Sequence, residues 1–250
     1  MAKRYFHSQL TGFLYPHRSY QPGMLLIITL VRPEISRLTQ LQFLNLSSNL
    51  LTGQIPSQIA NCSRLQQLDL SLNVLTGKIP DTFGTLRLKW LSLFNNSLNG
   101  SIPESVFHIS SLETLLLSFN QLTGLIPSNL GNATMLQQLC LDNNHFTGSL
   151  PDSLDNLANL GYLDVHSTGV KGGIPLGFNG CKNLSYLDLS FNTFTRLPPE
   201  LGNCTQPGTI RSCGLPVNRS NPCFFRSIHQ VESPLPLDKQ LVGKDTAGAW

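Results

Sequence analysis

The chain has 250 residues, of which 40% are hydrophobic and 12% charged, with a formal net charge of +3. That composition is too apolar for a disordered chain and too poor in charge for a long solvated helix or coiled coil. The charge divides as +4 over residues 1–40, −3 over 41–205 and +2 over 206–250, so no basic face offers itself to nucleic acid.

Residues 1–31 read as a non-repeat segment. They carry Lys3 and Arg4, and their longest apolar stretch, Met24 to Val31, is eight residues with Thr29 inside it, whereas a membrane span needs roughly 20. No small-residue cleavage site follows it. From Arg32 the sequence becomes self-similar. The run LQFLNLSSNLLTGQIP from Leu41 returns as LQQLDLSLNVLTGKIP from Leu65, and an Asn closes each LxxLxLxxN block at 49, 73, 96, 120, 144 and 192. The period is 24, with one spacing of 23 between Asn73 and Asn96, and Thr168 replaces the Asn in between 144 and 192. This is the leucine-rich-repeat pattern. It predicts a right-handed curved solenoid of about seven repeats over 32–205, an α/β repeat fold with a parallel concave sheet and non-repeat ends.

In each block two leucines sit two apart, as Leu68 with Leu70 and Leu91 with Leu93. They therefore share one face of a short strand and point into the solenoid. The Asn side chain that follows can satisfy backbone groups at the turn. Thr168 has one short hydroxyl in that role, which predicts a local irregularity. After each Asn comes a second signature, LTGQIP, LTGKIP, LNGSIP, LTGLIP, FTGSLP or VKGGIP. Its Gly allows a tight bend, and its Pro, at 56, 80, 103, 127, 151 and 175, ends a short extended piece.

These motifs resemble the plant-type leucine-rich repeat of receptor kinases and receptor-like proteins. Between Gly148 and Thr205 the runs GSLPDSLDNLANLGYLDVHSTGV, GFNGCKNLSYLDLSFNTF and LPPELGNCT are similar to the ectodomain of the plant elicitor peptide (Pep) receptor kinases. The resemblance implies an extracellular module at the plasma membrane that recognises a peptide or protein ligand and a co-receptor. It implies no catalysis by this chain, since a kinase would lie in a parent protein. Such ectodomains open with a signal peptide and a paired-cysteine cap. Neither is visible in 1–31, so the chain reads as part of a receptor or a truncated relative. A shorter secreted solenoid, similar to the polygalacturonase-inhibiting proteins or acting as a decoy, is the alternative.

Residues 206–250 read as a non-repeat tail. Within it, Cys213 and Cys223 bracket a segment that resembles the closing caps of plant receptor-like proteins, which implies a disulfide there. The remaining cysteines form no Cys-x-x-Cys pair, so no metal site is expected. Cys62, Cys181 and Cys204 share a slot suited to small buried filler, and Cys140 alternates outward on its strand. No phosphate loop or zinc motif is present, and no cofactor is implied. Sequons begin at Asn45, Asn61, Asn95, Asn99, Asn132, Asn183, Asn203 and Asn218, consistent with glycosylation on a secretory route.

Strand residues between the buried leucines face the concave side in columns. One column reads Phe43, Gln67, Trp90, Thr114, Gln138, Tyr162, Tyr186. The next holds Asp164 and Asp188, a third Phe94, Asp142 and His166, and a fourth Phe119 and Phe191. Exposed aromatics on such a face are candidate anchors for a partner. The candidate ligand-binding set is Trp90, Phe94, Phe119, Asp142, Tyr162, Asp164, His166, Tyr186, Asp188 and Phe191, suited to an extended peptide with basic side chains.

Overall fold

The computed structural model describes residues 35, 37–175, 183–196 and 208–211. The segment 1–31, the cap cysteines 213 and 223, the sequons at 203 and 218, and the cysteines at 181 and 204 lie outside the described residues.

Eight short strands, Phe43–Asn45, Gln67–Asp69, Trp90–Ser92, Thr114–Leu116, Gln138–Cys140, Tyr162–Asp164, Tyr186–Asp188 and Thr209–Arg211, form one parallel sheet in sequence order. Registration is one coil to the next, with Phe43 opposite Gln67 and Tyr162 opposite Tyr186. The columns read from the repeat are therefore physical columns. The sheet runs past residue 205: Ile210 pairs opposite Leu187 and Arg211 opposite Asp188. Ile210 is the single apolar residue among residues 208–211, so the repeat pattern fades there although the pairing continues.

The inward leucines build the core. Leu68, Leu70, Leu91, Leu93, Leu115 and Leu117 are wholly buried, as are Phe83, Phe107 and Phe194. Burying one such side chain stabilises by roughly 1.5–3 kcal/mol, and each coil obtains that burial only from its neighbours. Cys62 is buried filler, its thiol directed at the Ile35 carbonyl at 3.3 Å.

Each turn after the sheet follows one plan. Ser48, Leu72, Asn95, Phe119, Asn143, Ser167 and Phe191 all take left-handed φ between 51° and 57°. The next residue is the ladder asparagine. Asn120 donates to the carbonyls of Leu93, Leu117 and Ser118, and its Oδ1 accepts the Leu98 amide. One buried amide thus ties two coils together and leaves none of these backbone groups orphaned.

A second, five-stranded parallel sheet of Thr52–Gln54, Val74–Gly77, Ser97–Gly100, Gln121–Leu125 and His145–Thr147 flanks the first. Gly77 occupies φ +77°, a conformation that bulkier residues rarely adopt. Prolines 56, 80, 103 and 151 then precede 3-10 turns on the outer side, where their missing amide costs nothing. The 23-residue coil is absorbed at Leu86. That residue is extended, at ψ 164°, where its equivalents Cys62, Ala133 and Leu157 bend to ψ 60–67°.

Thr168 does break the pattern. Its hydroxyl donates to the Val165 carbonyl at 2.8 Å and lies 2.9 Å from Asn192 Oδ1. Both partners belong to its own coil or the next. At this coil the flanking sheet is interrupted, and Lys171–Gly173 and Thr193–Arg196 form a separate two-stranded sheet. Among the described residues no helix is long and apolar enough to cross a membrane.

Candidate functional site

The parallel register places Tyr162 and Tyr186 on adjacent strands, and their rings stack with centroids 4.1 Å apart and 4° between planes. The Arg211 guanidinium continues the stack, 5.9 Å from the Tyr186 centroid. It also lies 3.8 Å from Asp188 Oδ2. Arg211 belongs to the segment read as tail, so the sequence reading missed it. Its signal is position alone, one coil beyond Asp188 in the same column. Burial pushes the Tyr186 phenol up to about 12 and that of Tyr162 higher still. Both rings are therefore neutral, flat surfaces at ordinary pH.

Beside the stack lie three carboxylates. Asp164 Oδ1 accepts the His166 amide at 3.0 Å, and Asp188 Oδ1 accepts the Ser190 amide at 2.9 Å. In each case the strand end is closed by its own side chain, as Asn45 closes the first coil by accepting from the Ser47 amide. Asp142 is held differently. One oxygen accepts the Ser118 hydroxyl and the other the Asn143 side-chain Nδ2 at 2.8 Å.

Asp142 and Asp188 are buried, 8% and 5% exposed, against the expectation of an open concave column. Cys140, expected to face outward, does point to this side but is also buried. The reason is geometric: on the concave side of a curved solenoid, neighbouring strands crowd their side chains together. Burial raises the Cys140 thiol to about 12, so no reactive thiolate forms at neutral pH. Burial, then the charge of Asp142, raises the Asp164 carboxyl to about 7, although the His166 amide and Arg211 pull the other way.

Asp142, Asp164 and His166 each bring a ligand atom within 4.8 Å of the others. Both Asp142 oxygens are already hydrogen-bond acceptors. Asp142 is therefore already satisfied locally, and with Asp164 it makes an acidic patch that an added cationic group would complement.

The aromatics divide into two groups. Phe94 meets Phe119 edge-on at 5.6 Å, and His166 meets Phe191 edge-on at 5.4 Å. Phe119 and Phe191 are 47% and 65% exposed, unusual for large apolar side chains. Trp90 is half-buried, two coils before Gln138, and is not part of the tyrosine stack. Of the sequon residues, Asn45, Asn61, Asn95, Asn99, Asn132 and Asn183 are all exposed.

Residues 32–207 match the family described as leucine-rich repeat region. Among solved structures, the chain is similar to the plant peptide hormone receptor RGFR1 in complex with RGF2, at 32% identity and a TM-score of 0.71, over 75% of this chain and 31% of that one. It is similar to PEPR1 with AtPEP1 at 41% identity and a TM-score of 0.61, over 74% and 30% of the two chains. It is also similar to the Arabidopsis receptor kinase HAESA in complex with the peptide hormone IDA and the co-receptor SERK1, at 33% identity and a TM-score of 0.66, over 72% and 31%. The chain thus spans about a third of the length of each of these chains. A comparison with curated protein sequences gives no match.

Proposed function

The chain belongs to the leucine-rich-repeat family, and from that premise we propose that it is a peptide-binding module of a plant cell-surface receptor ectodomain, working beside a co-receptor. The observation that carries this reading is the Tyr162–Tyr186 stack with Asp164 and Asp188 on the same strands and Asp142 just past the end of the neighbouring one. A rigid pair of neutral rings supplies apolar contact area at little entropic cost. Carboxylates at its edge favour a ligand with basic side chains. RGFR1, PEPR1 and HAESA, to which this chain is similar, are solved in complex with RGF2, AtPEP1 and the peptide hormone IDA, which supports a peptide as the ligand class. On this reading the module sits outside the plasma membrane, and its sequons carry glycans.

The test is selection of a displayed random 12-residue peptide library on the purified chain. The best peptide is then measured against Tyr162→Ala plus Tyr186→Ala. A loss of affinity of tenfold or more is expected. Equal affinity for both proteins, or no selected peptide at all, overturns the reading.

A further inference from the structure

Phe119 and Phe191 stand in the same left-handed slot, three coils apart. Other coils fill that slot with Ser48, Leu72, Asn95, Asn143 and Ser167, of which the two asparagines tolerate positive φ best. A bulky side chain there bears a backbone cost, and both of these phenylalanines also expose much of their ring to solvent. Neither local conformation nor the core explains them.

Coils in a parallel stack are about 4.8 Å apart, so the two rings are separated by roughly 14 Å along the solenoid. An extended peptide rises about 3.3 Å per residue, and alternate side chains face the same way. Residues i and i+4 of a bound strand therefore span about 13 Å on one face, with i+2 between them. The surface midway between the phenylalanines is the fifth and sixth coils, where Asp142, Asp164 and His166 converge within 4.8 Å. The repeat block is also net negative.

Sequons point to the same window. The sequons at Asn45 and Asn95 lie on the first and third coils of this face, whereas residues 114–119, 138–143, 162–167 and 186–191 begin no sequon.

We infer that the rim from Phe119 to Phe191 docks an extended peptide that carries two apolar side chains four residues apart, with a Lys or Arg midway between them. This rests on the peptide-binding reading above and adds the ligand's pattern. The apolar side chains cover Phe119 and Phe191, and the cation meets the carboxylates.

The test runs the same library selection in parallel on the full chain, on Phe119→Asn plus Phe191→Asn, and on Asp164→Asn plus Asp188→Asn. The substitutions keep the fold by precedent, since Asn95 and Asn143 occupy the first slot and Asn45 closes its strand in the manner of the second. Far-ultraviolet circular dichroism verifies this for each protein. Peptides from the unaltered chain should share apolar-x-basic-x-apolar. The phenylalanine variant should lose the apolar pair and the aspartate variant the basic residue, and a synthetic consensus peptide should bind each at least tenfold more weakly. Peptides that need Tyr162 and Tyr186 but lack this spacing and charge overturn the inference and leave the peptide-binding reading intact. Peptides that bind all variants and the tyrosine double variant equally overturn both.

Discussion

Thr168 donates its backbone amide to Asn192 Oδ1 in the following coil and its hydroxyl to Val165 in its own, and makes no bond back to the coil before it. Asn144, one coil earlier, reaches back to the Leu117 carbonyl and accepts the Leu122 amide. The ladder is therefore severed between these two positions, where the flanking sheet also divides.

Asn144→Ala should destabilise the chain far more than Thr168→Ala. The first removes three donated bonds and one accepted bond and orphans buried backbone groups on two coils. Each orphan costs about 1–3 kcal/mol, so a loss of about 3 kcal/mol or more is expected. The second removes one hydroxyl and should cost about 1–2 kcal/mol. Urea midpoints of the two variants give the comparison.

Gly131→Ala should cost about 1–3 kcal/mol, the range for overpacking. An added Cβ would fall inside contact with the Ser153 carbonyl oxygen in the next coil's outer turn, and backbone there has little room to yield. Thermal unfolding should show a lower midpoint. An unchanged midpoint would mean that the outer turns are looser than described.

Phe191→Asn should leave the solenoid as stable as before or raise its melting temperature slightly. It relieves a left-handed phenylalanine at φ 55° and exchanges an exposed ring for a residue suited to that conformation. The opposing loss is the single edge contact with His166. A clear fall in melting temperature would show that Phe191 supports the fold rather than a partner.

Asp164 gives a pH test with a definite sign. Its carboxyl titrates near 7 in the folded chain against an ordinary value of 3.8. Between these values the folded state holds more proton than the unfolded state, so stability falls as pH rises. The contribution is fully present below about 3.8 and lost by the time pH passes about 7. Asp164→Asn should remove this slope from urea midpoints measured between pH 4 and 8. A cationic ligand favours the charged carboxylate, so affinity for a basic peptide should rise over the same range.

The solenoid was legible because its leucines and asparagines recur in register and each has a direct structural task. Three features were not. The left-handed column is filled by Ser, Leu and Phe as well as Asn, so no one residue type marks the positive φ there. Burial of Asp142, Asp188 and Cys140 comes from crowding between coils, which alternation along one strand does not encode. Thr209–Arg211 retains one apolar residue, so its membership of the sheet depends on the preceding coil rather than on its own sequence. Within the candidate site, the tyrosine pair and the exposed phenylalanines followed from column position. Arg211 and the Ser118–Asp142–Asn143 contacts needed coordinates.

The most direct test of the binding account is hydroxyl-radical footprinting of the chain with and without the best selected peptide. Protection should fall on Phe119, Tyr162, Tyr186 and Phe191, while Met135, exposed beside an outer turn, should be oxidised equally in both states. Protection of Met135 with all four aromatic residues unchanged would contradict the account and place the peptide at the turn that leads into the strand Gln138–Cys140.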